Sequence, residues 1–317
     1  MGRTLTLAPG ASVVFVPGAS LVANGRLIAN GTSSNRITFT STGGTTQQSW
    51  GSISISGGLA SGSSLDYVNV QYGTRIEVLN ATGVAVRNRN ISTMERGILL
   101  DGSSSIYASI LNNRITDCGQ GVTVQNGANN VTINDNTICR YANQGQGIGL
   151  QFLTGSAKAG RNDIDYYGHG ILASYNSTVY TYSPYSNGRN NRITGCTYGV
   201  MASEYSTAMF GTTPPSDYMW NTIRNNVYNG VAGSSAQLPS TVMAQGNYLG
   251  GTPTPSMFLV FPRGYINYSS YLASDPWGGI PLPSVQSGGG IGNRGQLLQA
   301  LCRCRTVGIH RLTFAGG

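Results

Sequence analysis

The sequence predicts an all-β solenoid, a stack of parallel coils each built from two or three short strands, and three observations carry that reading. The composition is strand-and-turn chemistry: 45 of the 317 residues are Gly, only 9% are charged, and there is one lysine, Lys158. Asn, Ser, Thr, Val and Ile dominate where a helical protein would carry Lys and Glu. A motif of Asn shortly before Ile, followed by Gly-Ile or Gly-Val, recurs along the middle of the chain. The reference residues Ile91, Ile115, Ile138, Ile164, Ile193 and Ile223 are 24, 23, 26, 29 and 30 residues apart. A period of that length without a leucine ladder, and too short for a propeller blade, leaves stacked β coils.

The first ninety residues supply strand-like runs at Leu5–Leu7, Val13–Val16, Leu21–Ala23, Arg26–Ala29, Ile37–Thr40, Ser52–Ile55, Tyr67–Val70 and Val84–Val86. Pro-Gly, Asn-Gly and Gly-Gly punctuate them. The repeats then pair Ile91 with Gly97, Ile115 with Gly121, Ile138 with Gly147, Ile164 with Gly170, Ile193 with Gly199 and Ile223 with Gly230. Stacking should put the six Ile side chains in one inward column, because no coil is thick enough to bury its own. The Asn before each Ile suits a left-handed bend and a bonded ladder along the axis. Residues 4–277 form the solenoid, 278–293 a Pro/Gly-rich linker, and 294–317 a C-terminal cap or tail carrying Arg294, Arg303, Arg305 and Arg311.

The run LTLAPGASVVFVPGASLVANGRLIANGTSSNRITFTS, then WGSISISG and LDYVNVQYG, resembles the opening coils of bacterial right-handed parallel β-helix proteins. The repeats resemble those of the pectin-lyase-like superfamily, including periplasmic proteins of the copper-enzyme maturation type. The resemblance covers about residues 4–250 and implies a right-handed single-stranded parallel β-helix of roughly ten coils. It is specific for the fold and weak for function, because that fold hosts lyases, hydrolases, epimerases, adhesins and phage spikes.

Side-chain columns follow from the repeat. Asn90, Arg114, Thr137, Asp163, Arg192 and Thr222 precede the reference Ile. Ser92, Thr116, Cys139, Asp165, Thr194 and Arg224 follow it. Both columns should face outward, since strand side chains alternate. Asp163, Asp165 and Arg192 are therefore catalytic candidates, with Arg224 a substrate-binding one: carboxylates as acid, base or Ca²⁺ ligands, Arg for uronate carboxylates. A plain salt-bridge ladder would look the same. His169 lies in Gly168-His169-Gly170, a tripeptide shared with polygalacturonases, but the Asp-Asp pair and the Lys that go with it there are missing. It remains a candidate in the column of Arg96, Gln120, Gln146, Tyr198 and Asn229. Lys158, expected in a connecting loop, is the candidate base for a lyase. The aromatic insertions 175–185 and 204–220 contribute Tyr180, Tyr182, Tyr205 and Tyr218 as sugar-stacking residues.

The formal charge of +8 is half accounted for by the tail, and no basic stripe interleaved with aromatics marks a nucleic-acid partner. No run approaches the roughly 18 apolar residues of a membrane span. No leader is visible before Thr4. No metal site or required cofactor is expected, with Ca²⁺ optional, and the oligomeric state stays open. The expected function is a secreted, periplasmic or cell-surface protein that binds an extended, acidic polysaccharide along one face. Cleavage as a polysaccharide lyase or glycoside hydrolase is left open. The alternative is a non-catalytic surface, adhesin or structural β-helix. A copper-maturation partner ranks third, because Met and Cys show no outward cluster in the sequence.

Overall fold

The computed structural model describes residues 2–181, 190–211, 220–234, 238–276 and, for the backbone, 285–291. Three long parallel sheets run the length of a right-handed β-helix, and each coil visits sheets 1, 2 and 3 in turn. The first coil shows the order: Thr4–Leu7 in sheet 1, Ser12–Phe15 in sheet 2, Leu21–Ala23 in sheet 3. Sheet 3 has ten such rungs among the described residues, which sets the length at about ten coils.

The six reference Ile residues are neighbours in sheet 2, and each is no more than 1% exposed. Burying one such side chain contributes about 1.5–3 kcal/mol, so the column is a main source of stability. Its period has a second cause at the corner between sheets 2 and 3. A Cβ placed on Gly149 would stand 2.6 Å from Ile164 Cγ2 and 2.6 Å from the Gly170 carbonyl of the next coil. Only glycine lets successive coils close to strand spacing there.

The Asn of the repeat does not make the bend. In three successive coils the left-handed residue is the one before it, Asn112, Asp135 and Arg161, with φ between 53° and 58°, and in the coil before them Asn88, with φ 53°, precedes Arg89 in the same position. The repeat Asn points inward and forms a buried ladder. Asn113, Asn136, Asn162 and Asn191 each donate backbone and side-chain N–H to the Oδ1 of the next Asn, at 2.8–3.1 Å, and Asn221 does the same to Asn247 at 2.9 and 2.7 Å. The ladder thereby satisfies these buried Asn groups within the wall.

Other expectations shift. Tyr67, with φ 46°, is a corner and not a strand start. Arg75–Leu79, passed over in the sequence, is a rung of sheet 3. The inward glycine after Ile138 is Gly149, which pairs with Gly121, because residues 141–147 lengthen that turn. Within the stretch marked as a linker, Val285–Ile291 pairs antiparallel with Gly264–Leu272. The expected cap or tail 294–317 lies outside the described residues.

Candidate functional site

Charge converges on the outer face of sheet 2. Asp163 and Asp165 flank the buried Ile164 on one short strand, so alternation turns both outward. The next coil places Arg192 beside Asp163 and Thr194 beside Asp165. Arg192 grips Asp163 with two bonds, Nε to Oδ1 at 2.6 Å and Nη2 to Oδ2 at 2.7 Å, and its Nη2 also reaches Asp165 Oδ2 at 3.1 Å. The Thr194 hydroxyl donates to the other Asp165 oxygen. One coil further, Arg224 Nε stands 3.2 Å from Asp275, whose second oxygen accepts from Thr222 at 2.5 Å.

Burial pushes the Asp165 carboxyl above its ordinary value; the Thr194 hydrogen bond and the Arg192 charge oppose this, and the neighbouring Asp163 charge adds to it. Arg192 is held above its ordinary value chiefly by its bond to Asp163. One guanidinium nitrogen, Arg192 Nη2, reaches an oxygen of each carboxylate, at 2.7 and 3.1 Å, so the two acids are held together by the same arginine.

The expected residues do not form one constellation. Asp163, Asp165, Arg192 and Arg224 share sheet 2. His169 faces outward from sheet 3, where it packs on Tyr198 at 4.9 Å between ring centroids, and burial pushes its imidazole below the usual value. Its column is corrected to Arg96, Gln120, Ile148, His169, Tyr198 and Tyr228. Lys158 is in a strand of sheet 1, Ser156–Gly160, not in a loop, and stands between Thr132 and Tyr180. Tyr205 is an exposed turn residue between a sheet 3 strand and a sheet 1 strand. Tyr182 and Tyr218 lie outside the described residues. Asp275 was missed: it arrives after the last coil, where no repeat signals it.

Among the described residues, no three His, Cys, Asp or Glu side chains gather as metal ligands. Cys118, Cys139 and Cys196 are buried and unpaired, and burial pushes the thiols of Cys118 and Cys196 up to about 12. Met and Cys do show one outward pair, contrary to the sequence reading: Met209 and Met243 are neighbours on sheet 1. No described helix is long and apolar enough to cross a membrane.

A family model described as "Periplasmic copper-binding protein (NosD)" matches residues 28–254. No curated protein matches the sequence. Among solved structures, the catalytic domain of a GH87 α-1,3-glucanase in complex with nigerose is similar at a TM-score of 0.37 and 12% identity, over 81% of this chain and 61% of that one. An alginate lyase from Paenibacillus sp. gives 0.23 and 18%, over 85% and 97%. A GH136 lacto-N-biosidase from Eubacterium ramulus gives 0.27 and 12%, over 86% and 62%. The chain thus spans less than two thirds of the glucanase and biosidase chains.

Proposed function

The chain belongs to the periplasmic copper-binding protein (NosD) family, and from that premise we propose a periplasmic β-helix that binds an extended, acidic polysaccharide along the outer face of sheet 2. One observation carries the reading. The column Asn90, Arg114, Thr137, Asp163, Arg192 is a row of hydrogen-bonding side chains, one per coil, that ends at Thr222, which is buried and bonded to Asp275. Coils advance by about 4.8 Å, close to the step of one sugar ring in an extended glycan. Arg side chains suit uronate carboxylates, and Asp and Thr suit hydroxyls.

Binding without cleavage is the form best supported at this patch. Arg192 bonds both Asp163 and Asp165, and Lys158 and His169 stand on other faces. The test is a panel of soluble polysaccharides, acidic and neutral, offered to the purified protein. Each is read twice, by affinity electrophoresis and by release of reducing ends or unsaturated products. The expected result is retardation by polyuronates without product release. Turnover of any glycan would sink the binding-only form, and no retardation by any glycan would leave the non-catalytic structural role.

A further inference from the structure

A second polar feature lies on the same side of the solenoid, nearer its N-terminal end. A cavity of about 270 Å³ is lined by Arg36, Tyr67, Asn88, Arg89, Asn90, Asn112, Asn113, Arg114, Asp135 and Thr137. Three of these carry guanidinium groups and one a carboxylate, and that carboxylate, Asp135, is already bonded to Arg161. Arg36 is fixed in the wall, Nη1 donating to the Asn88 carbonyl at 2.8 Å and its guanidinium 5.5 Å from the Tyr67 ring centre.

Arg89 is the anomaly. It occupies the ladder position one coil before Asn113, whose Oδ1 accepts its backbone N–H at 3.3 Å. Its side chain is 1% exposed, and none of its three guanidinium nitrogens has a hydrogen-bond partner. Burial pulls the group down from its ordinary value and Asp66 pulls it up, but arginine keeps its proton at neutral pH. A buried charge to which no protein group is hydrogen-bonded is among the most costly arrangements in a protein. Asp66 acts on it only through its field and makes no bond to it: Asp66 accepts from Asn88 at 2.8 Å, and Asp135 is bonded to Arg161.

We infer that this cavity is an oxyanion site, with Arg36 and Arg114 at the ligand and the unscreened charge of Arg89 beneath it. The ligand chemistry is a carboxylate or sulfate-type oxyanion, either a free small anion or an acidic group on a glycan. Weak screening of buried charge is what makes Arg89 effective without direct contact. The cavity shares Asn90, Arg114 and Thr137 with the sheet 2 column, but its argument rests on Arg89 and not on the glycan reading: sulfate binding can fail with polyuronate binding intact, and the reverse.

The test is melting temperature against sodium sulfate, with sodium chloride at matched ionic strength as reference. Sulfate stabilises many proteins without binding them, and that effect does not saturate. The wild-type chain should show a saturable rise of several degrees at concentrations well above Kd. Arg89→Met should lose the saturable part and, in chloride, melt at or above the wild type, since an unpaired buried charge is gone. Arg114→Gln, at an exposed position, should weaken the sulfate response and leave the chloride value alone. Galacturonate monomer and oligogalacturonate complete the set: a tighter response to the oligomer points to a glycan source, and an equal one to a free oxyanion. The inference is overturned if sulfate and chloride give the same curve, or if Arg89→Met melts several degrees below the wild type in chloride.

Discussion

Asn162 is fully buried and sits in the middle of the ladder: its Oδ1 accepts from Asn136 twice, and its Nδ2 donates to the Ile133 carbonyl at 2.8 Å and to Asn191. Asn162→Ala would strand donors on Asn136 and an acceptor on Ile133 away from water. The Asn136 backbone N–H and the Ile133 carbonyl, at about 1–3 kcal/mol each, put the expected cost at about 2–6 kcal/mol, read as a lower urea midpoint. Asn162→Asp should not rescue it, because a carboxylate cannot donate to the Ile133 carbonyl. His169 offers a second residue-scale check. Its folded-state value is depressed from the ordinary 6.5 by burial. The neutral imidazole therefore adds stability above about pH 6.5, and that stability is lost as pH falls through the folded value. Melting temperature should drop between pH 7 and 5 more steeply in the wild type than in His169→Gln. The ladder was legible as a recurring Asn, and its inward bonds matched the expectation of an axial stack. The bend was assigned to the wrong residue, because sequence shows that a left-handed corner is near but not which of two adjacent residues makes it.

At the scale of a coil, the glycine after each reference Ile is a spacing device. Gly149→Ala would press a methyl group into the Gly170 carbonyl and Ile164 at 2.6 Å, so neither neighbour can yield without moving a strand. The expected loss is about 1–3 kcal/mol. Gly58→Ala is the control: nothing lies within 4 Å of its added Cβ, and its thermal midpoint should stay within about a degree. The period was legible from Ile alone, and it fixed both outward columns of sheet 2 in their true register. It misassigned the coil of Ile138, where Gly147 precedes the inward Gly149. The nearest sequence match was not the residue whose missing Cβ the next coil needs. Lys158 was misread for a related reason. Gly, Ser and Ala around it resemble a turn, yet Ala157 and Ala159 face inward, at most 3% exposed, and leave Lys158 on the outer face of sheet 1.

For the whole molecule, the solenoid followed from periodicity, but the site did not follow from the columns. Each coil has three faces, and a repeat read along one dimension does not tell which face a residue outside the reference strand occupies. Hence Lys158, His169 and Tyr205 were grouped with Asp163, although three sheets divide them, and Asp275 was absent although it braces Arg224. The outer face of sheet 2 is the surface we propose for an acidic glycan. The most direct measurement is the affinity of one polyuronate for the wild type, Arg192→Ala and Lys158→Ala, with melting temperatures recorded alongside. Losing a charge-assisted contact of about 1.5–3 kcal/mol predicts that Arg192→Ala weakens binding about tenfold or more. Lys158→Ala, on another face, should stay within about twofold, and both should melt close to the wild type, since a part-exposed ion pair adds only about 1 kcal/mol. If Arg192→Ala binds as the wild type does, or if Lys158→Ala alone abolishes binding, the sheet 2 face is not the binding surface.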